Sequence, residues 1–316
     1  MTEPETNVSA NYDESWKVAI EQYFEAFVAF FFPEAHSSIA WERGYEFLDK
    51  EFNQIVQDAE VGTRFVDKLL KVWLTEGQEA WLLLHIELQS QVDSSFAERI
   101  FIYNYRIYDR YGREVVSLAV LGDEQPNWRP AEYCYGRWGS EMRLRFPIIK
   151  LLDYNWETLE TNDNPFAVVV MAHRKTQATT QSARERLQWK LRLIKGLYRR
   201  GYSRQDILEI FGILDRMMRL PEPLELTFRD EIREFEEENQ MPYISSIGRI
   251  ARQEGQHEKA RNLIQSLLKS RFGVLDEQLS SIIEPLTQMP DDEVASLLLT
   301  SSREDLVTRF GQSTLH

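Results

Sequence analysis

Phe65-Val-Asp-Lys-Leu-Leu-Lys-Val-Trp-Leu74 and Trp81-Leu-Leu-Leu-His-Ile-Glu-Leu-Gln89 are two β-rich runs, each interrupted by acidic or amide side chains. The connector Thr75-Glu-Gly-Gln-Glu79 carries a turn glycine, the mark of a hairpin with a five-residue loop. If Leu74 faces Ala80, Asp67 falls directly opposite Glu87, with Cβ atoms roughly 5 Å apart. Like charges so placed destabilise a hairpin, so this register calls either for a divalent ion between the carboxylates or for one protonated carboxyl.

In the second run His85, Glu87, Gln89 and Gln91 alternate with Ile86 and Leu88, which puts the polar residues on one strand face. Two carboxylates and a backbone carbonyl are hard oxygen donors, suited to Mg²⁺ or Mn²⁺ rather than zinc. Such an ion can polarise a phosphoryl oxygen and supply a bound hydroxide. Read from residues alone, the motif fits structural pairing and metal catalysis equally, because Glu-x-Gln is common. His85 reads as a core histidine or a support to the site.

The whole chain narrows the classes. Its 316 residues exceed a usual single domain, and 43% hydrophobic content with 12% aromatic excludes a disordered protein. The longest uncharged apolar stretch, Ala26 to Pro33, is far short of the ~20 residues of a membrane span. The N-terminus is acidic and polar where a secretory leader is basic, and the single cysteine, Cys134, has no partner for an intramolecular disulfide. A cytoplasmic protein without membrane contact is the expectation. Cys134 itself reads as a packed small apolar residue. No Walker, dinucleotide or Gly-x-Ser-x-Gly fingerprint is present.

A net charge of −14 argues against non-specific polyanion binding. The distribution is uneven, since residues 176–220 hold 10 basic and 4 acidic residues between two acidic flanks.

Along the chain, apolar spacing predicts a buried helix from Tyr12 to Phe32, stopped at Pro33, with Glu14, Glu21 and Glu25 along one side that is either solvated or, less often, a metal-ligand face. Two or three strands follow between Glu46 and Gln91. Ser95-Phe-Ala-Glu98 reads as a capping box opening a helix to about Tyr111. On that helix Arg99, Tyr103, Arg106 and Arg110 share one face, either solvated or contacting phosphates. Glu114 to Leu121 reads as a buried strand, giving the order α-β-β-β-α-β. A further strand or two is expected in 131–135 and 140–146, with Ile148 to Leu152 docking the subdomain edge. Trp128, Tyr133, Tyr135 and Trp138 form an aromatic group that packing explains more simply than base stacking. From Pro165 the pattern is helical: Ser182 to Arg200 is basic and amphipathic, Ser203 caps the next helix, and short helices with a Leu/Ile core fill the C-terminal part.

With Tyr12-Asp-Glu-Ser-Trp-Lys17, Phe30-Phe-Phe-Pro33, Tyr45-Glu-Phe-Leu-Asp-Lys-Glu51, Val66-Asp-Lys-Leu69 and His85-Ile-Glu-Leu-Gln89, the chain resembles the recombination-promoting nuclease/transposase family of the PD-(D/E)XK nuclease superfamily. The likeness covers roughly residues 10–240. Leu267-Leu-Lys-Ser-Arg-Phe-Gly273 onward is similar to a small helical domain that often follows this core in cyanobacterial proteins. The resemblance implies an α/β fold with an αβββαβ mixed sheet flanked by helices and an all-α C-terminal extension. It divides the chain into a nuclease-like domain at 10–175, a basic helical hairpin at 176–240 and a helical domain at 241–316.

It further implies a Mg²⁺- or Mn²⁺-dependent endonuclease acting on DNA, double-stranded by expectation. Asp67 and Glu87 match the metal carboxylates, Gln89 stands in the place of the superfamily lysine, and Glu21 matches an acidic ligand from the first helix. Arg99, Tyr103, Arg106, Arg110 and the 184–200 helix would then meet phosphates. A lysine at 89 would steady the phosphorane charge, whereas glutamine only hydrogen-bonds water. Lys71 is about 13 Å along the strand from Asp67, and Lys68 faces the other side. The rival reading is a nuclease-fold protein that has lost its chemistry and serves as a binding or assembly module. Paired cuts need paired sites, so a homodimer fits the first reading.

Overall fold

The computed structural model describes residues 12–58, 66–87, 93–245 and 261–310, the last stretch with gaps between 288 and 300. The chain divides into two compact units at Asn239/Gln240, so the basic helices beyond residue 176 belong with the sheet.

The N-terminal unit opens with α1 (Tyr12–Gln22), α2 (Phe24–Phe31) and α3 (Pro33–Ser38). The single helix expected from Tyr12 to Phe32 is bent at Tyr23, whose φ of −129° and ψ of 42° leave the helical region. The cause is tertiary. The Tyr23 hydroxyl donates 2.7 Å to Glu209 Oε2, a residue 186 positions away. The apolar side is buried as the spacing requires, with Trp16, Ile20, Phe24 and Phe27 fully enclosed.

Strands β1 (Tyr45–Phe47), β2 (Val66–Trp73), β3 (Glu79–Glu87), β4 (Val115–Leu121) and β7 (Ile148–Lys150) form one mixed sheet in the order β1-β2-β3-β4-β7. β1, β2 and β3 are antiparallel neighbours, while β4 runs parallel to both β3 and β7. A parallel neighbour needs a crossover, and α5 (Phe96–Tyr111) supplies it between β3 and β4. Gly112, at φ 60°, ends that helix in the left-handed conformation. β5 (Glu132–Arg137) and β6 (Ser140–Arg145) make a separate two-stranded ribbon.

The order α-β-β-β-α-β is present with two additions. One is β7; the other is α4 (Asp49–Asp58), where only strands were expected. Asp49 and Glu51 favour the start of this helix through its dipole, and Phe52 and Ile55, three residues apart, anchor it to the sheet.

Period-two alternation sorts the sheet residues. Leu69, Trp81 and Leu83 join Phe52, Ile55, Tyr103 and Ile107 in one cluster, so α4 and α5 cover that face. The intervening residues Leu70, Val72, Leu82 and Leu84 are buried on the other face, against which α1 lies.

α6 (Trp156–Thr161) is followed by α7 (Pro165–Ala178), buried continuously from Phe166 to His173, as a helix enclosed on all sides must be. α8 (Ala183–Arg199), α9 (Arg204–Met217) and α10 (Glu222–Asn239) complete the unit, so the expected helical hairpin is a group of three helices. Ser182, Asn164 and Ser203 each cap a helix by accepting a backbone N–H, matching the sequence at Ser203.

In the C-terminal unit, helical residues 261–272 end at Gly273, and Glu277–Ser281, Ile283–Thr287 and Arg303–Phe310 follow. Ile264, Leu268, Leu279, Ile282 and Leu286 form its own core. Among the described residues, no helix is long and apolar enough to cross a membrane.

Candidate active site

The hairpin register differs from the expected one by two residues. Val72, not Leu74, pairs with Ala80, and Asp67 faces His85 rather than Glu87. Leu74 closes the ladder in that same register, its N–H donating to the Gln78 carbonyl at 2.7 Å, and it also bridges to Ile39. Gly77, at φ 91°, then closes the turn onto the Leu74 carbonyl at 2.8 Å. A shift of two keeps the pleat phase, where a shift of one would invert it. Positions 67, 85 and 87 therefore stay in the same phase, with 67 and 87 diagonal neighbours, about 7–8 Å apart. Glu87 ends β3, with Leu121 of β4 as its backbone partner. The side chains of His85 and Glu87, and all of Gln89, lie outside the described residues.

Across from Asp67 stands α5. The stripe of Arg99, Tyr103, Arg106 and Arg110 divides: Arg99 and Tyr103 are buried toward the sheet, Arg106 is half-buried and only Arg110 is fully in solvent. The helix must bury Ile100, Tyr103 and Ile107 against the sheet, and that requirement turns the first half of the stripe inward. An exposed phosphate-contacting face is thus corrected for Arg99 and Tyr103. Tyr103 meets the carboxylate side of β2 instead, and Arg99 turns to Asp93. Burial, reinforced by the nearby negative charge of Asp67, pushes the Tyr103 phenol up to about 12, so it remains a neutral donor. Arg110 donates 2.8 Å to Gln54 Oε1 of α4.

Arg99 is held by Asp93, Nη1 to Oδ2 at 2.6 Å, and lies over the Phe96 ring. The same Asp93 accepts from the Ser95 backbone N–H at 2.8 Å and from its hydroxyl at 2.7 Å. The capping box expected from Ser95 and Glu98 is not formed, because the serine hydroxyl is engaged by Asp93 and makes no cap bond to the helix. Burial works against the Asp93 charge, yet the bonds from Ser95 and Arg99 hold its carboxyl below the ordinary range.

Glu21 is not brought to Asp67. It accepts from Lys68 Nζ at 2.7 Å, beside Asp49 at 3.1 Å. Lys68 is the neighbour of Asp67 and so emerges on the opposite strand face, toward α1 and β1. This corrects Glu21 as a ligand of the same ion. Lys71 is paired with Glu46, which leaves neither lysine at the carboxylate.

Five cations of the basic block are engaged internally. Lys190, fully buried, lies 2.7 Å from Asp215 and 2.8 Å from Glu225. Arg186 is buried against the carbonyls of Thr176 and Thr179, Arg192 pairs with Glu160 and Lys195 with Glu231. Arg200 donates to the carbonyls of Leu159, Glu160 and Asn162. Of the phosphate-contacting face expected of helix 184–200, Arg186, Lys190, Arg192 and Lys195 are engaged in holding α6, α7, α9 and α10, while Arg184 and Arg199 lie exposed.

Cys134, expected to be packed, is exposed, since it alternates with Tyr133 and Tyr135, which take the side of the strand packed on Phe101 of α5. Trp128 separates from the other aromatics, packing on Phe96 under the Lys150 ammonium.

Among the described residues, no group of three His, Cys, Asp or Glu side chains gathers at a metal-holding distance. By donor chemistry, carboxylates at 67 and 87 suit magnesium or manganese. Comparison with protein-family models, curated proteins and solved structures returns no match for this chain. Sequence reasoning missed Asp93, although Asp-Ser-Ser is an Asx-turn signal, and missed α4, whose Phe52/Ile55 spacing was legible.

Proposed function

We propose that this chain is a metal-dependent DNA endonuclease of the recombination-promoting nuclease type, built on a PD-(D/E)XK core. The observation that carries the reading is the β2–β3 register, which keeps Asp67 and Glu87 in one pleat phase on adjacent strands, on the side where α5 presents Tyr103 and Arg99. Magnesium, when bound, would polarise the phosphoryl oxygen and lower the pKa of its water. Asp67 and Glu87 would hold the ion, Gln89 would orient the attacking water by hydrogen bonding, and Tyr103 would offer a neutral donor beside Asp67. Arg99, tied to Asp93, fixes the start of α5 and so the height of Tyr103 over the strands.

The test is conversion of supercoiled plasmid to nicked or linear DNA in magnesium. Asp67→Ala and Glu87→Ala should each slow it at least a hundredfold, and unchanged rates would refute the site.

A second reading, a binding or assembly module without chemistry, is favoured by the internal neutralisation of α8 and by glutamine at 89. Calorimetric titration with Mg²⁺ separates the two: heat of binding that disappears in Asp67→Ala supports the enzyme.

A further inference from the structure

The β5–β6 ribbon ends in a two-residue turn, Trp138-Gly139, between the paired residues Arg137 and Ser140. Both turn residues have positive φ, 55° and 85°. Hairpin turns of this kind select Asn or Asp before Gly, because a bulky side chain in the left-handed region is sterically disfavoured. Here the position holds a tryptophan that is 95% exposed. Neither turn geometry nor burial accounts for it. Strain without a folding reason points to function.

The tip does not stand alone. Tyr133 and Tyr135 on β5 lie with ring centroids 5.1 and 5.8 Å from Phe101 on the outer side of α5, and Phe101 is stacked with Tyr105 at 12° between planes. Tyr105 and Tyr135 are each about half exposed, at 53% and 52%. Tyr133 is tied to α5 through its hydroxyl, 3.1 Å from Glu98 Oε1. The aromatic rings therefore form a track on the reverse side of the helix that faces Asp67 with Tyr103.

The ribbon's charge fits an anionic partner, and its exposed rings fit one that carries stackable bases. Residues 132–145 hold Arg137, Arg143 and Arg145 against Glu132 and Glu141, a net positive ribbon on a chain of net charge −14. Arg143 and Arg145 pair with Glu141 and Glu132 at 3.0 and 2.9 Å, and the Arg137 guanidinium at the tip lies over the Trp138 ring. Aromatic faces beside a guanidinium are what unstacked bases and their phosphates require.

We infer that the β5–β6 ribbon and the outer face of α5 bind a nucleic-acid strand with unstacked bases, Trp138 stacking on a base and Arg137 meeting a phosphate. The choice of nucleic acid rests on the proposed function; the stacking surface does not depend on Asp67.

The experiment is fluorescence anisotropy of a fluorescein-labelled 20-nucleotide oligo(dT) with the full chain in EDTA, where no cleavage occurs. Trp138→Asn suits the turn better than the native residue, so it keeps the ribbon folded while deleting the ring. It should weaken binding about tenfold, equivalent to ~1.4 kcal/mol of lost stacking. Trp138→Phe should lose threefold or less. Binding of Trp138→Asn within twofold of the parent, or no binding by the parent, overturns the inference. So does a parent dimer that Trp138→Asn converts to a monomer by light scattering without change in oligo(dT) affinity, which would make the ribbon a self-association surface. Ribbon-dependent binding with Asp67-independent cleavage would sink the active-site reading alone. Asp67-dependent cleavage with ribbon-independent binding would sink this inference alone.

Discussion

Lys68 Nζ lies 2.7 Å from Glu21 Oε1 on the side of β2 away from Asp67. Adjacent strand residues point to opposite faces, so the acidic residue of the first helix and the strand carboxylate are separated by the sheet itself. The lysine is enclosed, with 5% of its side chain exposed, and both of its carboxylate partners reach solvent. Its role is to join α1, β2 and the start of α4.

Glu21→Gln should therefore leave magnesium-dependent plasmid cleavage within twofold of the parent, while Asp67→Ala abolishes it. The amide still accepts from Lys68, and the loss of charge should cost about 1 kcal/mol in urea unfolding. A hundredfold fall in cleavage for Glu21→Gln would return Glu21 to the metal.

The cations of α8 make a second expectation. Arg192→Ala and Lys195→Ala should change DNA affinity by less than twofold, because Glu160 and Glu231 already neutralise these side chains. Lys190→Met should instead lower stability by about 1–3 kcal/mol, since Asp215 and Glu225 lose their shared partner but retain contact with water. Filter binding and urea melts read the two effects separately.

Lys150 and Asp123 form a pair in which both side chains are 0% exposed. Lys150 also donates 3.0 Å to the Trp128 carbonyl, and Asp123 accepts 2.8 Å from the Gln125 N–H. Lys150→Met strands a buried charge and should destabilise by about 3–5 kcal/mol. Adding Asp123→Asn removes that charge and preserves the bond from Gln125, so the double variant should regain at least half of the loss. Equal stability of the single and double variants would show that the pair is not the source of the effect.

His173 supplies the pH dependence. It is fully buried; Trp16 Nε1 donates to its Nδ1 at 3.3 Å, so Nε2 carries the proton and donates to the Gly122 carbonyl at 3.0 Å. Burial pushes its pKa down to about 4 from the ordinary 6.5. The unfolded chain therefore takes up a proton that the folded chain refuses. The stability this provides is whole above pH 6.5 and is lost as pH falls toward 4, by at most ~1.4 kcal/mol per pH unit. His173→Gln should flatten the slope of unfolding free energy between pH 6.5 and 4.5 by close to one proton. An unaltered slope would place the titration elsewhere.

Much of the fold was legible because it depends on local pattern. The β2–β3 hairpin, α5 with its terminal Gly112, β4, the β5–β6 ribbon and the Ser203 cap all follow from alternation, helical spacing and turn chemistry. So does the pleat phase of Asp67 and Glu87, which survives the two-residue change of register. What the sequence by itself determined is which residue types recur at which period, and hence the strands that carry the carboxylates and the side of each strand they share. Only the tertiary structure decided the partners: Leu74 bridging to Ile39, Glu21 going to Lys68, Arg99 and Tyr103 of α5 turning inward, and Lys190, Arg192 and Lys195 of α8 pairing with Asp215, Glu225, Glu160 and Glu231. The reason is physical. Periodicity is set by neighbours within a few residues, whereas ion pairs and burial are set by groups that the chain brings together from tens of positions away, and a count of charges along the sequence does not record which of them meet.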